Sequence, residues 1–293
     1  MFKEKFKYYK NLDYSVNEPD LIDVDKINDV SEFVERKYLV NHEFDCEFLS
    51  GLGLNSNVFE WKCYNFIKKP GLVIIRNPFT KKGEKTWIQR CVASYTRKPN
   101  ILNIDAHNML KTDEDWWTTV NKTGDILLKN KLRWATLGYH HNWNTKIYSE
   151  SARSEFPSEL AELSRTIIKL LNFPDEFVAE AAIINFYHLS STLCGHTDHS
   201  EINISAPLLS ISFGLSAIFL IGGSTLDKNA FGILLKTGDI VIMSGESRLS
   251  FHGIPKVLPL LNDNDLDDSY DWKPFKNFIQ DTRININVRQ VNN

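Results

Sequence analysis

Leu208-Leu-Ser-Ile-Ser-Phe-Gly-Leu-Ser-Ala-Ile-Phe-Leu-Ile-Gly-Gly223 is the stretch that decides the fold. Two apolar runs, Leu208–Phe213 and Ala217–Ile221, are parted by Gly214 and closed by Gly222-Gly223. Both are strand-sized, and the glycines supply the turns. The texture continues outward in Ala181–Tyr187, Gly232–Leu235, Asp239–Met243 and Arg283–Val291, with Gly238 and Gly245 as further punctuation. Many short strands with glycine turns indicate an antiparallel sandwich or jelly roll. Upstream, Ser158–Leu171 reads as a helix: Leu160, Leu163, Ile167 and Leu170 recur at helical spacing, and Ser158 can cap it. The expectation is a mainly β, α+β chain whose helices back one face of the sheet.

The chain has 293 residues, 42% hydrophobic and 24% charged, which suits a globular protein with an ample core. No apolar run approaches the roughly 20 residues of a membrane-spanning helix. The start, Met1-Phe-Lys-Glu-Lys-Phe-Lys-Tyr-Tyr-Lys10, has no apolar signal region. Cys46, Cys63, Cys91 and Cys194 are widely spaced and read as reduced thiols. The chain therefore reads as intracellular: nuclear or cytoplasmic, with a lysine-rich start that leaves the mitochondrion open. Residues 1–69 are polar and mixed, with a helix expected near Val30–Val40, and read as an N-terminal extension. Residues 70–293 read as the main domain, 70–157 preceding a core of 158–293. Asn262–Asp271 is acidic and reads as a surface loop. Between Lys62 and Lys111 stand eleven bases against two acids, a block that suits either a phosphate backbone or a solvated face.

Gly195-His-Thr-Asp-His-Ser200 sets His196 and Asp198 two residues apart. On extended backbone such residues share a face and can grip one ion. His252, 54 residues beyond Asp198, is the candidate third ligand. Two histidines and a carboxylate make the facial triad of non-haem Fe(II) oxygenases. A bare H-x-D is weak on its own, since surface polar residues and a buried structural histidine give the same pattern. His199 points to the opposite face and is left out.

Arg283-Ile-Asn-Ile-Asn-Val-Arg289 gives the pattern weight. Arg283, Asn285, Asn287 and Arg289 share one face; Ile284, Ile286 and Val288 share the other. A solvated polar face is one reading. Asparagine is depleted in strands, so two between two arginines point instead to a polar face turned inward around a small dicarboxylate. Arginine offers a planar fork that matches a carboxylate. Asn185-Phe-Tyr187 repeats the alternation and can add an amide and a phenol.

With these motifs the chain resembles the AlkB family of nucleic-acid oxygenases, over roughly residues 70–291. The resemblance rests on Asn185-x-Tyr187, His196-x-Asp198, His252 and Arg283-x-Asn285-x-x-x-Arg289, in the family's order. Asn77-Pro-Phe, Leu132-Arg-Trp, Leu137-Gly-Tyr-His, Phe156-Pro-Ser and Gly238-Asp-Ile-Val-Ile-Met-Ser-Gly are similar to the branch of AlkB homologue one. The resemblance implies a double-stranded β-helix, iron on His196, Asp198 and His252, and 2-oxoglutarate and O2 as co-substrates. It implies that Arg283 pairs with the distal carboxylate of 2-oxoglutarate, helped by Tyr187 and Asn285. Asn185 and Arg289 then lie near the iron-chelating end. Residues 139–148 resemble the family's substrate lid, with Tyr139 and Tyr148 set to contact a flipped base and His196 touching it from the iron side. Two departures stand out. Asn287 replaces the usual Thr, and Ser200-Glu201 replaces the position where some members carry an acidic residue.

The function implied is oxidative demethylation of 1-methyladenine in tRNA or 6-methyladenine in DNA, at an unpaired or bulged base. Oxidation of 5-methylcytosine in tRNA, a protein demethylase or hydroxylase, and a non-catalytic nucleic-acid-binding module are the alternatives. The sequence says nothing of oligomeric state.

Overall fold

The structure, a computed structural model, describes every residue except 14–19, 27–30, 40–42, 261–266, 268 and 293. Most of the expected acidic loop at Asn262–Asp271 therefore lies outside the described residues. The strands in chain order are β1 (Leu21–Ile22), β2 (Val34–Lys37), β3 (Lys62–Phe66), β4 (Leu72–Arg76), β5 (Ile101–Leu102), β6 (Trp134–Gly138) and β7 (Ala181–His188). They continue with β8 (Leu193–His196), β9 (Leu208–Gly214), β10 (Ala217–Ile221), β11 (Phe231–Leu235), β12 (Ile240–Met243), β13 (His252–Val257) and β14 (Thr282–Arg289). One sheet has nine strands in the order β2-β3-β4-β12-β9-β14-β7-β6-β5; the other has five, β1-β11-β10-β13-β8. Pairing is antiparallel except between β1 and β11. The two sheets face each other as the expected double-stranded β-helix.

Alternation along the strands builds two cores from one sheet. Leu209, Ile211 and Phe213 of β9, with Ile284, Ile286 and Val288 of β14, point to the outer face of the large sheet. There they meet Trp87 of α3 (Lys81–Gln89), Trp116 of α4 (Trp116–Thr123) and Phe278 of α7 (Lys273–Ile279). Leu160, Leu163 and Ile167 of α6 (Ser158–Leu170) join the same cluster, as their spacing predicted. Its cap differs from expectation: Ser158 is the first helical residue, and Pro157 at the cap position makes no side-chain bond. The other face of the large sheet carries Leu208, Val241 and Met243 against Phe219, Ile221 and Ile233 of the small one.

The segment before residue 70 is woven into both sheets. Where a helix is expected near Val30–Val40, the described residues 31–39 form a turn followed by the strand β2, whose Val34 is buried while Glu35 faces out. Its ladder to β3 outweighs the helical reading. Arg76 of β4 is buried among Asp23 (2.7 Å), Asp25 (3.2 Å) and Asp239, and Lys236 reaches Asp25 at 2.6 Å. Burial pushes the Asp239 carboxyl up to about 6. This cluster ties residues 20–26 to the sheet and removes Arg76 from the basic block. Within that block Lys85, Arg97, Lys98 and Lys111 also meet acids, Asp267, Asp115, Asp105 and Glu114 respectively. Asp23, Asp25, Asp239 and Asp267, all distant in sequence, are brought to these bases by the fold and neutralise part of the linear excess, while Lys62, Lys68, Lys81 and Lys82 stay exposed.

The helix α1 (Phe2–Lys10) closes the outer face of the small sheet. Phe2 and Tyr9 are fully buried there. Three glycines make room for them. A Cβ on Gly195 would sit 2.4 Å from the Phe2 ring, one on Gly222 2.9 Å from it, and one on Gly232 2.7 Å from Tyr9. Phe2→Ala is expected to destabilise the protein by about 3 kcal/mol, the low end for a buried aromatic because a terminal helix can fray. Chemical denaturation measures this. A loss below about 1 kcal/mol would show that α1 contributes little to the fold.

Candidate metal centre

The register of the small sheet sets His196 directly opposite His252, the last residue of β8 against the first of β13. Cross-strand partners are near neighbours, and these two imidazole centroids are 4.4 Å apart. A register shift follows at once between His252 and Ile254. Gly253 makes that possible, because a Cβ there would lie 2.6 Å from the Leu193 carbonyl oxygen. Nδ1 of His196 lies 3.0 Å from the Cys194 carbonyl, and Nδ1 of His252 lies 3.0 Å from the Ser250 carbonyl. A carbonyl only accepts, so each Nδ1 carries the proton and each Nε2 presents its lone pair.

Asp198 follows just beyond β8. Its carboxylate lies 3.9 Å from His196 Nε2 and 3.5 Å from His252 Nε2, and one donor atom from each of the three residues lies within 4.8 Å of the others. Burial, with His252 beside it, holds the His196 imidazole below its ordinary value, which favours the neutral ligand. Burial pushes the Asp198 carboxyl up, but Arg289, His252 and His196 outweigh it and hold it well below the usual carboxylate range. Arg289 donates to Oδ1 at 2.8 Å, whereas the buried Oδ2 has no hydrogen-bond partner. Two imidazole lone pairs and one unpartnered carboxylate oxygen converge on one point. His199 is exposed and turned to Thr197, outside this group.

The polar face of β14 looks inward between the sheets. Arg283 is 1% exposed, opposite Tyr187 of β7; Asn285 stands opposite Asn185. Arg283 donates to Ser212 at 2.8 Å and lies 5.5 Å from the Tyr187 ring centroid, but its Nε and Nη1 are buried without partners. Among the described residues it meets no carboxylate, and burial pulls its guanidinium down to about 10. Asn285 donates to Ser210 at 2.8 Å. A cavity lined by Arg283, Tyr187, Asn285, Asn287, Ser210 and His252 connects this end to the metal ligands.

The segment after β6 covers the metal end. Tyr139 is buried, its hydroxyl shared by Glu150, Arg153 (3.2 Å) and Asn292 (3.0 Å). The Tyr148 hydroxyl accepts from Arg289 at 3.1 Å. The His141 ring stands 5.2 Å from Tyr148 and 4.7 Å from the half-exposed Trp143, and its Nε2 is 3.1 Å from the Ser200 hydroxyl. His141 and Trp143 join the site without having been singled out in the sequence; their signal was two aromatic rings within the lid segment. Arg248 and Glu201 form a buried ion pair behind Asp198. A lone arginine in a polar turn gave no signal for that pairing.

The model of the 2OG-Fe(II) oxygenase superfamily matches residues 71–289. The chain is 38% identical over 263 residues to the nucleic acid dioxygenase ALKBH1 of Mus musculus, covering 80% of this chain and 67% of the relative. The chain belongs to the AlkB family of 2OG-Fe(II) dioxygenases. The tRNA demethylase abh1 of Schizosaccharomyces pombe is 33% identical, covering 78% of this chain and 82% of its own. The DNA N(6)-methyladenine demethylase ALKBH1A of Arabidopsis thaliana is 29% identical over 99% of this chain and 94% of its own. The solved structure of OsALKBH1 superposes with a TM-score of 0.50 at 22% identity, covering 76% of this chain and 97% of that one, and shares the fold. The family's Fe(II), with 2-oxoglutarate and O2 as co-substrates, fits this site: the nitrogen and oxygen donors suit the ion, and the unpaired Arg283 suits a dicarboxylate.

Asp198→Ala and His252→Ala are each expected to abolish Mn(II) binding in calorimetric titration, while His199→Ala binds as the parent does. Loss of binding in His199→Ala together with retention in His252→Ala would reverse the ligand assignment.

Proposed function

We propose that this enzyme oxidatively demethylates nucleobases, 1-methyladenine in tRNA or 6-methyladenine in DNA, releasing formaldehyde, carbon dioxide and succinate. The observation that carries the reading is the run of rings from exposed Trp143 through His141 to Tyr148, whose hydroxyl bonds the arginine that holds Asp198. A flat, aromatic approach ending at a metal carboxylate suits a base lying on its face. The names of the fission-yeast and Arabidopsis relatives, a tRNA demethylase and a DNA N(6)-methyladenine demethylase, support the same substrate class. Such substrates fit an intracellular enzyme of nucleus, cytoplasm or mitochondrion.

When bound, Fe(II) and 2-oxoglutarate supply the oxidation that turns an N-methyl group into N-hydroxymethyl, which departs as formaldehyde. The chain's own residues bind and orient. Arg283 grips the distal carboxylate of 2-oxoglutarate through its free Nε and Nη1, with Tyr187 and Asn285 beside it. Asn185 and Arg289 border the chelating end. His196, Asp198 and His252 would hold the ion through the donor atoms that converge between them. Tyr148 and His141 meet the target base beneath Trp143 and exclude water. Tyr139, engaged by Glu150, Arg153 and Asn292, contributes by holding the two ends of the lid together. A base inside a duplex cannot reach this point, so the substrate is flipped or already unpaired.

Arg283→Ala is expected to weaken 2-oxoglutarate binding by about 2–5 kcal/mol, the loss for a desolvated charge pair, and Arg283→Lys to recover only part. Unchanged affinity in Arg283→Ala would remove this role. One methylated adenine placed in matched duplex, bulged and single-stranded oligonucleotides, beside a methylated peptide, tests the substrate class by mass spectrometry. Faster turnover in the bulge and single strand is expected, since opening a perfect duplex costs a few kcal/mol. Turnover of the peptide alone would overturn the nucleic-acid reading, and a preference for the perfect duplex would overturn the unpaired-base reading.

A further inference from the structure

Glu201 lies in the loop between β8 and β9, 5% exposed, between two buried arginines. Arg248 reaches it at 3.0 Å and Arg289 at 3.1 Å. Arg248 does more than pair. Its Nη1 donates to the Asp198 carbonyl at 2.6 Å and its Nε to the Ala206 carbonyl at 3.1 Å. One side chain therefore pins the two ends of the 198–206 loop and the carboxylate in its middle. Arg289 completes the group through Asp198 Oδ1. Two cations and two anions are buried together, and their charges sum to zero.

The arrangement sets up a competition. Arg289 and a metal ion both draw on the Asp198 carboxylate. Glu201 takes a share of Arg289, which moderates its hold on Oδ1 and leaves Oδ2 facing His252 without a partner. Arg248 fixes the backbone from which that carboxylate projects. We propose that Glu201 and Arg248, which are not among the three metal ligands, are positioning residues that set the affinity of the site for its ion. Without the Glu201 charge, Arg289 spends its whole charge on Asp198, and Arg248 faces no anion and releases the loop. The ion then meets a carboxylate already claimed and less well aimed.

A purely structural role makes a different prediction. Buried ion pairs are often replaceable by apolar side chains with no loss of stability. Glu201→Leu combined with Arg248→Met removes one cation and one anion, leaves Arg289 and Asp198 balanced, and takes the donor from the Asp198 and Ala206 carbonyls, so only a modest fall in melting temperature is expected. The test is titration of the full chain with Mn(II) alone, beside its melting temperature, for Glu201→Gln and for this double variant. Mutating groups that orient metal ligands typically weakens metal binding about 10- to 100-fold. Both variants are expected to bind Mn(II) at least about tenfold more weakly while remaining folded at the titration temperature. Parent-like Mn(II) affinity in the double variant would overturn the proposal.

Discussion

A guanidinium is not buried without an anion to answer it, and β14 carries two of them into the space between the sheets. Arg289 finds its anions within the chain, in Asp198 and Glu201. Among the described residues Arg283, at the other end of the same strand, finds one hydroxyl and a phenol ring. In the proposed function, the co-substrate would supply the missing anion: Arg283 would answer one of its carboxylates, with the metal ligands at the other end of the same cavity. The rest of the barrel serves this strand: β7 and β9 flank it, the serines of β9 bond its polar side chains, and the helices cover its isoleucines.

The metal ligands depend on sheet register rather than on nearness in sequence. Pairing of β8 with β13 brings a histidine to its opposite number 56 positions away, and two backbone carbonyls fix which nitrogen each presents. A slip of one residue would put the two rings on opposite faces. The pairing ends at His196 and His252, just where the third ligand approaches from beyond the strand, and the irregularity at Gly253 lies on the inner side of that pair.

These dependencies explain what could be read in advance. The strict alternation from Arg283 to Arg289 fixed which side chains turn inward, since period two is a local property. His196 and Asp198 were legible because they sit together, and His252 because it follows a strand. The Arg248–Glu201 pair was not legible, because 47 residues separate two ordinary polar side chains that only the fold brings together. The basic block could not be weighed from sequence for the same reason: Arg76 is answered by Asp23, Asp25 and Asp239, none of them within the block. Residues 31–39 misled because a short edge strand takes its stability from its neighbour β3, not from its own sequence. Tyr139 illustrates a further limit: an aromatic residue at the mouth of a site can be enclosed by its neighbours rather than offered to a ligand.

The docking of α1 on Gly195 backs, from outside the barrel, the strand that carries His196. Proteolytic trimming that removed only those first residues would spare every ligand and every arginine. It would nonetheless leave a hollow directly behind the strand that carries His196 and bare the apolar flank formed by Ile218, Leu220 and Leu234. Patches of that kind drive self-association. A preparation clipped there would therefore lose homogeneity along with its chemistry, although its sequence would look catalytically complete.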